Sequence, residues 1–445
     1  MLKSLRLENF KSFKNAELSL GELTVLVGTN ASGKSNIRDA FRFLHGISRG
    51  YSIADIIGGK YEDGIQQWQG IRGGTKEIAY HGANSFAISI SFFVYDGDKK
   101  SELHYFIQLG LDTTYNPFPY IEKELLYRDQ EENAPIFKSS FNWDHPVYPN
   151  SSQIHFFDYL GDYTLDIETD EDIYEHPVYD YLANHISVLA QVAKGAKPYG
   201  EVDRENFSHS VAKRFCEIAL KSISEMRFLD LSPDVMRLPT FAGQNVLGDR
   251  GENLSSVMQD ICRDENRKAI LLDWLQALTP MDAQDFDFPE DFTGKVLLRL
   301  IEASGQKTTA YSASDGTLRF LGLLAALLGE KRSRFYFFEE PENGIHPNRL
   351  SLLLQLMEQE VTNSSMQIVI TTHSPLLLNS LSPASLEYAS LMYRIGDRAE
   401  SRLTKIMDIP NARELAASDG LSSLLDSGWL EDAMYFLEDE EVQNA

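Results

Sequence analysis

Two clusters of residues in this sequence have types and spacings that suit one chemistry. The first is Gly28-Thr29-Asn30-Ala31-Ser32-Gly33-Lys34-Ser35, which fits the pattern G-x-x-x-x-G-K-[ST]. Glycines let backbone amides curl around an anion without Cβ clashes. Lys34 has the reach to meet the β- and γ-phosphates of a nucleoside triphosphate, and the Ser35 hydroxyl can hold Mg²⁺. The second cluster is Glu339-Glu340, at the end of a hydrophobic run. Two carboxylates there divide the remaining work. Glu339 would hold Mg²⁺ directly or through water, and Glu340 would orient and polarise the attacking water. Compared with an aspartate, Glu339 has one more methylene, which would lengthen a metal contact.

These side chains need elements that aim them. Leu23–Val27 reads as a buried strand feeding the glycine loop. Residues 37–44 read as the helix that follows, with Ile37, Ala40, Phe41 and Leu44 at helical spacing. Its N-terminus adds partial positive charge to the anion site. Residues 334–338 form the apolar strand that delivers the two acids, and residues 366–371 predict another buried strand. Asp315–Leu328, residues 347–360 and residues 375–381 predict helices, and residues 386–393 a further strand. Residues 295–303 read as a strand that returns the chain to the nucleotide core.

Ahead of the loop, residues 2–8 and 16–20 read as strands joined by Asn9-Phe10-Lys11-Ser12-Phe13. Residues 50–85 are glycine-rich loop with short helical pieces. Residues 86–95 and 103–111 alternate around Asp96-Gly97-Asp98, a hairpin signal. Residues 112–180 are aromatic, proline-containing and irregular. Within them Asp158, Asp162, Asp166, Glu168, Asp170, Glu171, Asp172, Glu175 and Asp180 occur with no Lys or Arg. That run is a solvated face or a docking site for a basic partner. Residues 178–232 and 253–278 are mainly helical, and residues 427–445 suggest an acidic terminal helix. The fold class is α/β: a phosphate-loop fold with a split nucleotide-binding domain, an antiparallel sheet subdomain and a mostly helical insert. The expected organisation is 1–110, 111–292, 293–410 and 411–445.

The chain has 445 residues, 43% hydrophobic and 24% charged, with net charge −25. That balance is ordinary for a soluble globular protein but opposes nucleic-acid binding except through a local basic patch. Two cysteines, Cys216 and Cys262, make neither a disulfide framework nor a zinc site by themselves. No apolar run approaches the roughly 20 residues of a membrane span. The N-terminus enters a strand pattern directly, so a cytoplasmic protein is expected.

In five places the sequence resembles the ABC-type ATPases of the RecF, SMC and OLD-like branch. Asn9-Phe10-Lys11-Ser12-Phe13 resembles the family's nucleotide-facing turn. The loop through Asn36 has that branch's form, with Asn30 and Asn36. Ala313-Ser314-Asp315-Gly316-Thr317 stands where the signature L-S-G-G-[QE] belongs. Glu339-Glu340-Pro341-Glu342-Asn343-Gly344-Ile345-His346-Pro347 matches the acidic motif and the loop after it, and Thr371-Thr372-His373-Ser374-Pro375 matches the switch histidine.

The resemblance implies ATP and Mg²⁺ as ligands and a homodimer that sandwiches two ATPs. One chain would supply Lys11, Ser12, Gly28, Asn30, Ala31, Ser32, Gly33, Lys34, Ser35, Asn36, Glu339, Glu340 and His373. The other would supply Ser314 and the amide of Gly316. Asp315 replaces a glycine; an acid facing phosphate would repel it, so Asp315 must point away or act as a cap. Gln66, Gln67 and Gln69 are alternatives for the family's loop glutamine. No TOPRIM nuclease is expected after the switch, so the implied role is a sensor or regulator ATPase with a separate effector, perhaps a nuclease, in phage defence. Two other roles stay open. One is a RecF-like DNA clamp using Lys194, Lys197, Arg204, Lys213, Arg214 and Lys221; the other is an ATP-gated scaffold with negligible turnover.

Overall fold

The computed structural model describes residues 1–96, 99–111, 119–128, 135–142, 151–156, 180–183, 185–195, 207–279, 282–394 and 400–435. Most of the acidic run, Lys197, Arg204 and the end of the tail lie outside these residues. The chain forms two compact units, each assembled from separated stretches.

The first unit comprises Met1–Leu20, Ser35–Glu225 and Arg394–Leu403. Its sheet runs Asp180–Ala183, Ser151–Phe156, Pro135–Asn142, Tyr120–Arg128, Lys99–Gly110, Ser85–Asp96, Leu2–Phe10, Phe13–Ser19. Every neighbouring pair is antiparallel. Period-two alternation explains the centre of the sheet: Phe86, Ile88, Ile90, Phe92 and Val94 are buried in turn. The helix Lys34–Arg49 begins at the end of the glycine loop, and its Phe43 meets Phe86 edge-on at 5.9 Å.

Residues 112–180 are therefore not irregular throughout. They extend the hairpin by three strands, whose pattern their prolines hid, and a fourth, Asp180–Ala183, opens the stretch 178–232, expected to be mainly helical. Residues 50–85 hold a small hairpin, Lys60–Glu62 with Ile65–Trp68, besides their short helices. The helix Phe207–Ser224 buries Ala212, Phe215, Cys216, Ala219 and Ile223, a helical stripe.

The second unit comprises Gly21–Lys34, Met226–Tyr393 and Thr404–Ala445. Its centre is a parallel run of Met226–Leu229, Phe335–Glu339, Gln367–Thr372, Leu23–Val27 and Ala389–Arg394. Leu23–Val27 and Gln367–Thr372 are buried at every position, as strands covered on both faces must be. The register places Thr372 opposite Val27 and Glu339 opposite Thr371. The loops that leave these three strands thus start side by side.

Two further expectations are corrected. Met226–Leu229, inside a stretch expected to be helical, is a strand parallel to Phe335–Glu339. Residues 295–303 do not rejoin the parallel run: Arg299–Glu302 pairs antiparallel with Ala283–Asp287 and Lys307–Thr309 in a separate sheet. The helix Asp315–Leu328 takes the predicted bounds and is buried on nearly all sides. Among the described residues no helix is long and apolar enough to cross a membrane.

Candidate nucleotide-binding site

The glycine loop closes on itself. Lys34 Nζ donates to the carbonyls of Gly28, at 2.5 Å, and Thr29, at 2.9 Å. A Cβ on Gly28 would lie 2.3 Å from the Met392 carbonyl oxygen, so only glycine fits. Ala31 takes φ 66 and Gly33 φ 109. Left-handed residues within a tight loop turn successive amides toward one concavity, the geometry of an anion nest. Ser32 is buried, and its hydroxyl has no hydrogen-bond partner.

In the same unit, the acidic strand ends in a turn that is held at several points. Glu340 adopts φ 48, a conformation that costs a non-glycine residue about 1–3 kcal/mol. Its amide is anchored on the Thr371 carbonyl at 3.0 Å. Asn343 Nδ2 donates to Glu340 Oε2 at 2.9 Å, and His373 Nδ1 lies 3.1 Å from Glu340 Oε1. Burial works against the charged Glu340 carboxylate, but Asn343, His373 and Lys34 outweigh it and hold its pKa below the usual value. Burial lowers the pKa of Lys34, against the opposing pull of Glu340, Glu342 and Glu339. The cation and the three acids therefore belong to one electrostatic cluster.

Glu342 completes the turn. It is buried, its Oε1 accepts the Thr372 hydroxyl, and its Oε2 has no partner. Thr372 Oγ1 in turn accepts the Ser374 amide at 2.9 Å, fixing both flanks of His373. Burial raises the Glu342 pKa. Glu342, Asn343 and Thr372 had no role in the sequence reading; the signal present there was the third acid of Glu339-Glu340-Pro341-Glu342.

A family described as "AAA domain, putative AbiEii toxin, Type IV TA system" matches residues 23–379. The chain belongs to this AAA family. The motifs implied an ATPase, and the family is one of AAA-type ATPase domains. It is similar to an "ATP/GTP phosphatase" of Helicobacter pylori, 21% identical over 84% of this chain and 85% of that protein. It also resembles the "Chromosome partition protein Smc" of Desulfitobacterium hafniense, 40% identical over 20% of this chain and 7% of that protein. Among solved structures it is similar to "SmcHead bound to the C-winged helix domain of ScpA", with TM-score 0.46 and 13% identity, over 91% of this chain and 97% of that one.

The remaining expected residues of this AAA protein fall in two places. Ser314 is the N-cap of Asp315–Leu328, its Oγ accepting the Thr317 amide at 3.1 Å. Ser314, Gly316 and Thr317 line a cleft of about 660 Å³ together with Gly344, His346 and Arg349. Gly316 presses on Gly344: a Cβ on Gly316 would lie 2.5 Å from the Gly344 carbonyl oxygen, and one on Gly344 2.6 Å from Gly316 Cα. In the first unit, Lys11, Ser12 and Asn36 line one cleft of about 340 Å³. Asn36 Nδ2 donates to Ser12 Oγ at 2.7 Å. Lys11 Nζ lies 2.9 Å from Asp39 and donates to the Arg72 carbonyl at 2.6 Å. Ser35 directly follows Lys34 in the first turn of the helix Lys34–Arg49. Gln66, Gln67 and Gln69 sit on or next to the small hairpin, and Gln66 bonds Tyr61 at 3.1 Å.

Proposed function

We propose that this AAA protein binds ATP with Mg²⁺, hydrolyses it, and uses the nucleotide state to control a separate effector protein in phage defence. The observation that carries the catalytic part is the contact of His373 with Glu340 at 3.1 Å, inside the cluster that also holds Lys34. In this reading the glycine loop binds the phosphates and Lys34 neutralises them. Glu340, kept ionised by its neighbours, takes a proton from water, and His373 meets the γ-phosphate. The Ser35 hydroxyl and Glu339 carboxylate are oxygen donors of the kind Mg²⁺ takes, and the metal would supply charge neutralisation at the phosphates. Lys11, Ser12 and Asn36 would contribute from the N-terminal turn and the first helix. Ser314 and the Gly316 amide would meet the γ-phosphate held by a second copy.

The effector rests on other support. The family description names a toxin–antitoxin system, and the similar Helicobacter pylori protein is named as a nucleotide phosphatase. A net charge of −25 favours a protein partner over nucleic acid. The basic residues that a DNA clamp would need are partly engaged: Lys194 donates to the Arg49 carbonyl at 3.0 Å, and Lys213 lies 3.9 Å from Glu217.

Glu340→Gln is expected to bind ATP, turn it over at least about 100-fold more slowly and accumulate as a dimer, read by phosphate release and sedimentation. Lys34→Ala is expected to lose ATP binding. Wild-type turnover in Glu340→Gln would sink the assignment of the base. Affinity capture from the native host tests the effector: a protein held by the Glu340→Gln chain with ATP, and not by Lys34→Ala, is expected. Recovery of none would count against it.

A further inference from the structure

The signature loop carries Asp315 where the pattern L-S-G-G-[QE] that it resembles has glycine, and the structure gives that acid a dedicated partner. Arg237 Nη2 lies 2.6 Å from Asp315 Oδ1 and donates to the Ala313 carbonyl at 3.0 Å. Arg237 stands at the C-terminal end of Pro233–Met236, 78 residues from Asp315 in sequence. A single guanidinium nitrogen therefore grips both sides of Ser314. Asp234 lies 3.9 Å from Arg237 Nη1 and is the other carboxylate at this position.

The direction of the grip matters. Ser314, Gly316 and Thr317 line the cleft, whereas Asp315 and Arg237 are not among its lining residues. The carboxylate is turned out of the face that its two neighbours present, and its charge is opposed by a cation at hydrogen-bond distance. The main-chain bond to Ala313 fixes the residue before the N-cap, so the Ser314 hydroxyl and the Gly316 amide keep their aim.

We propose that Arg237 is a positioning residue for ATP turnover: it neutralises Asp315 and holds it off the phosphate-facing side of the signature loop. This rests on the reading in which Ser314 and Gly316 meet the triphosphate held by a second copy. Without Arg237 the Asp315 carboxylate would stand uncompensated one residue from Ser314 and repel the incoming triphosphate. The acid is then tolerated in the signature because of a cation supplied from a distant helix.

The test is a charge-rescue set on the full chain, read by steady-state ATP hydrolysis and by ATP-dependent dimerisation in the Glu340→Gln background. Arg237→Ala is expected to lower kcat about tenfold and weaken dimerisation, with ATP affinity of the single chain within about twofold of wild type. Asp315→Asn alone is expected to keep wild-type turnover. The double variant Arg237→Ala, Asp315→Asn is expected to recover to within about threefold of wild type. Arg237→Lys, which keeps charge but not the forked geometry, is expected to fall between. If the double variant is as slow as Arg237→Ala, Arg237 acts only by holding the Ala313 carbonyl and the proposal is overturned. Wild-type turnover in Arg237→Ala, or a loss in Asp315→Asn equal to that of Arg237→Ala, overturns it too. Failure of the underlying reading has a different signature: Glu340→Gln then shows no ATP-dependent dimer whatever residue stands at 237, and the proposal falls with it.

Discussion

Glu124 and Glu342 are both buried carboxylates, one in each unit, and they are treated in opposite ways. Glu124 accepts from the Tyr105 hydroxyl at 2.8 Å, the Ser187 hydroxyl at 2.7 Å, the Val188 amide at 2.8 Å and the Leu189 amide at 3.0 Å. Each of its oxygens is used, and the result ties an antiparallel strand to the start of the helix Val188–Ala193. Glu342 has one oxygen bonded to Thr372 and the other without a partner, beside the loop that presents His373. A satisfied buried acid is a fastening; one left partly unsatisfied costs free energy that something else must repay. The placement of Glu342 within the cluster of Lys34, Glu339 and Glu340 suggests that the return is catalytic.

Exchange of the two roles would break this contrast. Glu124→Ala leaves four donors without their acceptor, so a loss of about 3 kcal/mol is expected in chemical denaturation. The folded fraction should hydrolyse ATP at the wild-type rate. Glu342→Ala is expected to do the reverse: turnover about tenfold lower, with stability changed by about 1 kcal/mol or less. A Glu342 variant that unfolds as readily as the Glu124 variant would make both acids structural.

A finer test concerns pH. The proposed base must be ionised, so turnover is lost as pH falls through the Glu340 pKa. Burial raises that pKa, and the Asn343, His373 and Lys34 contributions bring it below the ordinary value. Asn343→Ala removes a donor that favours the charged form, so the acid limb of kcat/KM should move to higher pH. An unmoved limb would mean that another group limits the rate on the acid side.

The parts of the fold that could be read from the chain are those whose logic is local. Leu23–Val27, the loop to Ser35, the acids after Phe335–Phe338 and Asp315–Leu328 are each a contiguous pattern in which side-chain spacing and backbone requirement coincide. The strands between Tyr120 and Phe156 could not be read, because prolines and scattered aromatics mask alternation that only pairing reveals. Met226–Leu229 is four residues long and follows a strong helix, so no period could establish itself. The pairing of Arg299–Glu302 with Ala283–Asp287 depends on a partner strand, not on its own sequence. Within the candidate site the residue types were legible, while the contacts that aim them were not. Arg237 to Asp315 and Glu342 to Thr372 join separate elements, and nothing in either local sequence announces the other.

The near-contact of Gly316 with Gly344 carries a mechanical consequence. With two backbones touching and no side chain between them, the turn that bears Ser314 and the turn that follows Glu340 have no slack with respect to each other. They form a glycine seam that transmits displacement without a lever arm. If copies pair as proposed, the turn serving a chain's own nucleotide is welded to the turn reading its partner's. Loss of one γ-phosphate would then be felt at the opposite site as a shift of main chain, and one spent ATP would loosen both halves of the clamp together.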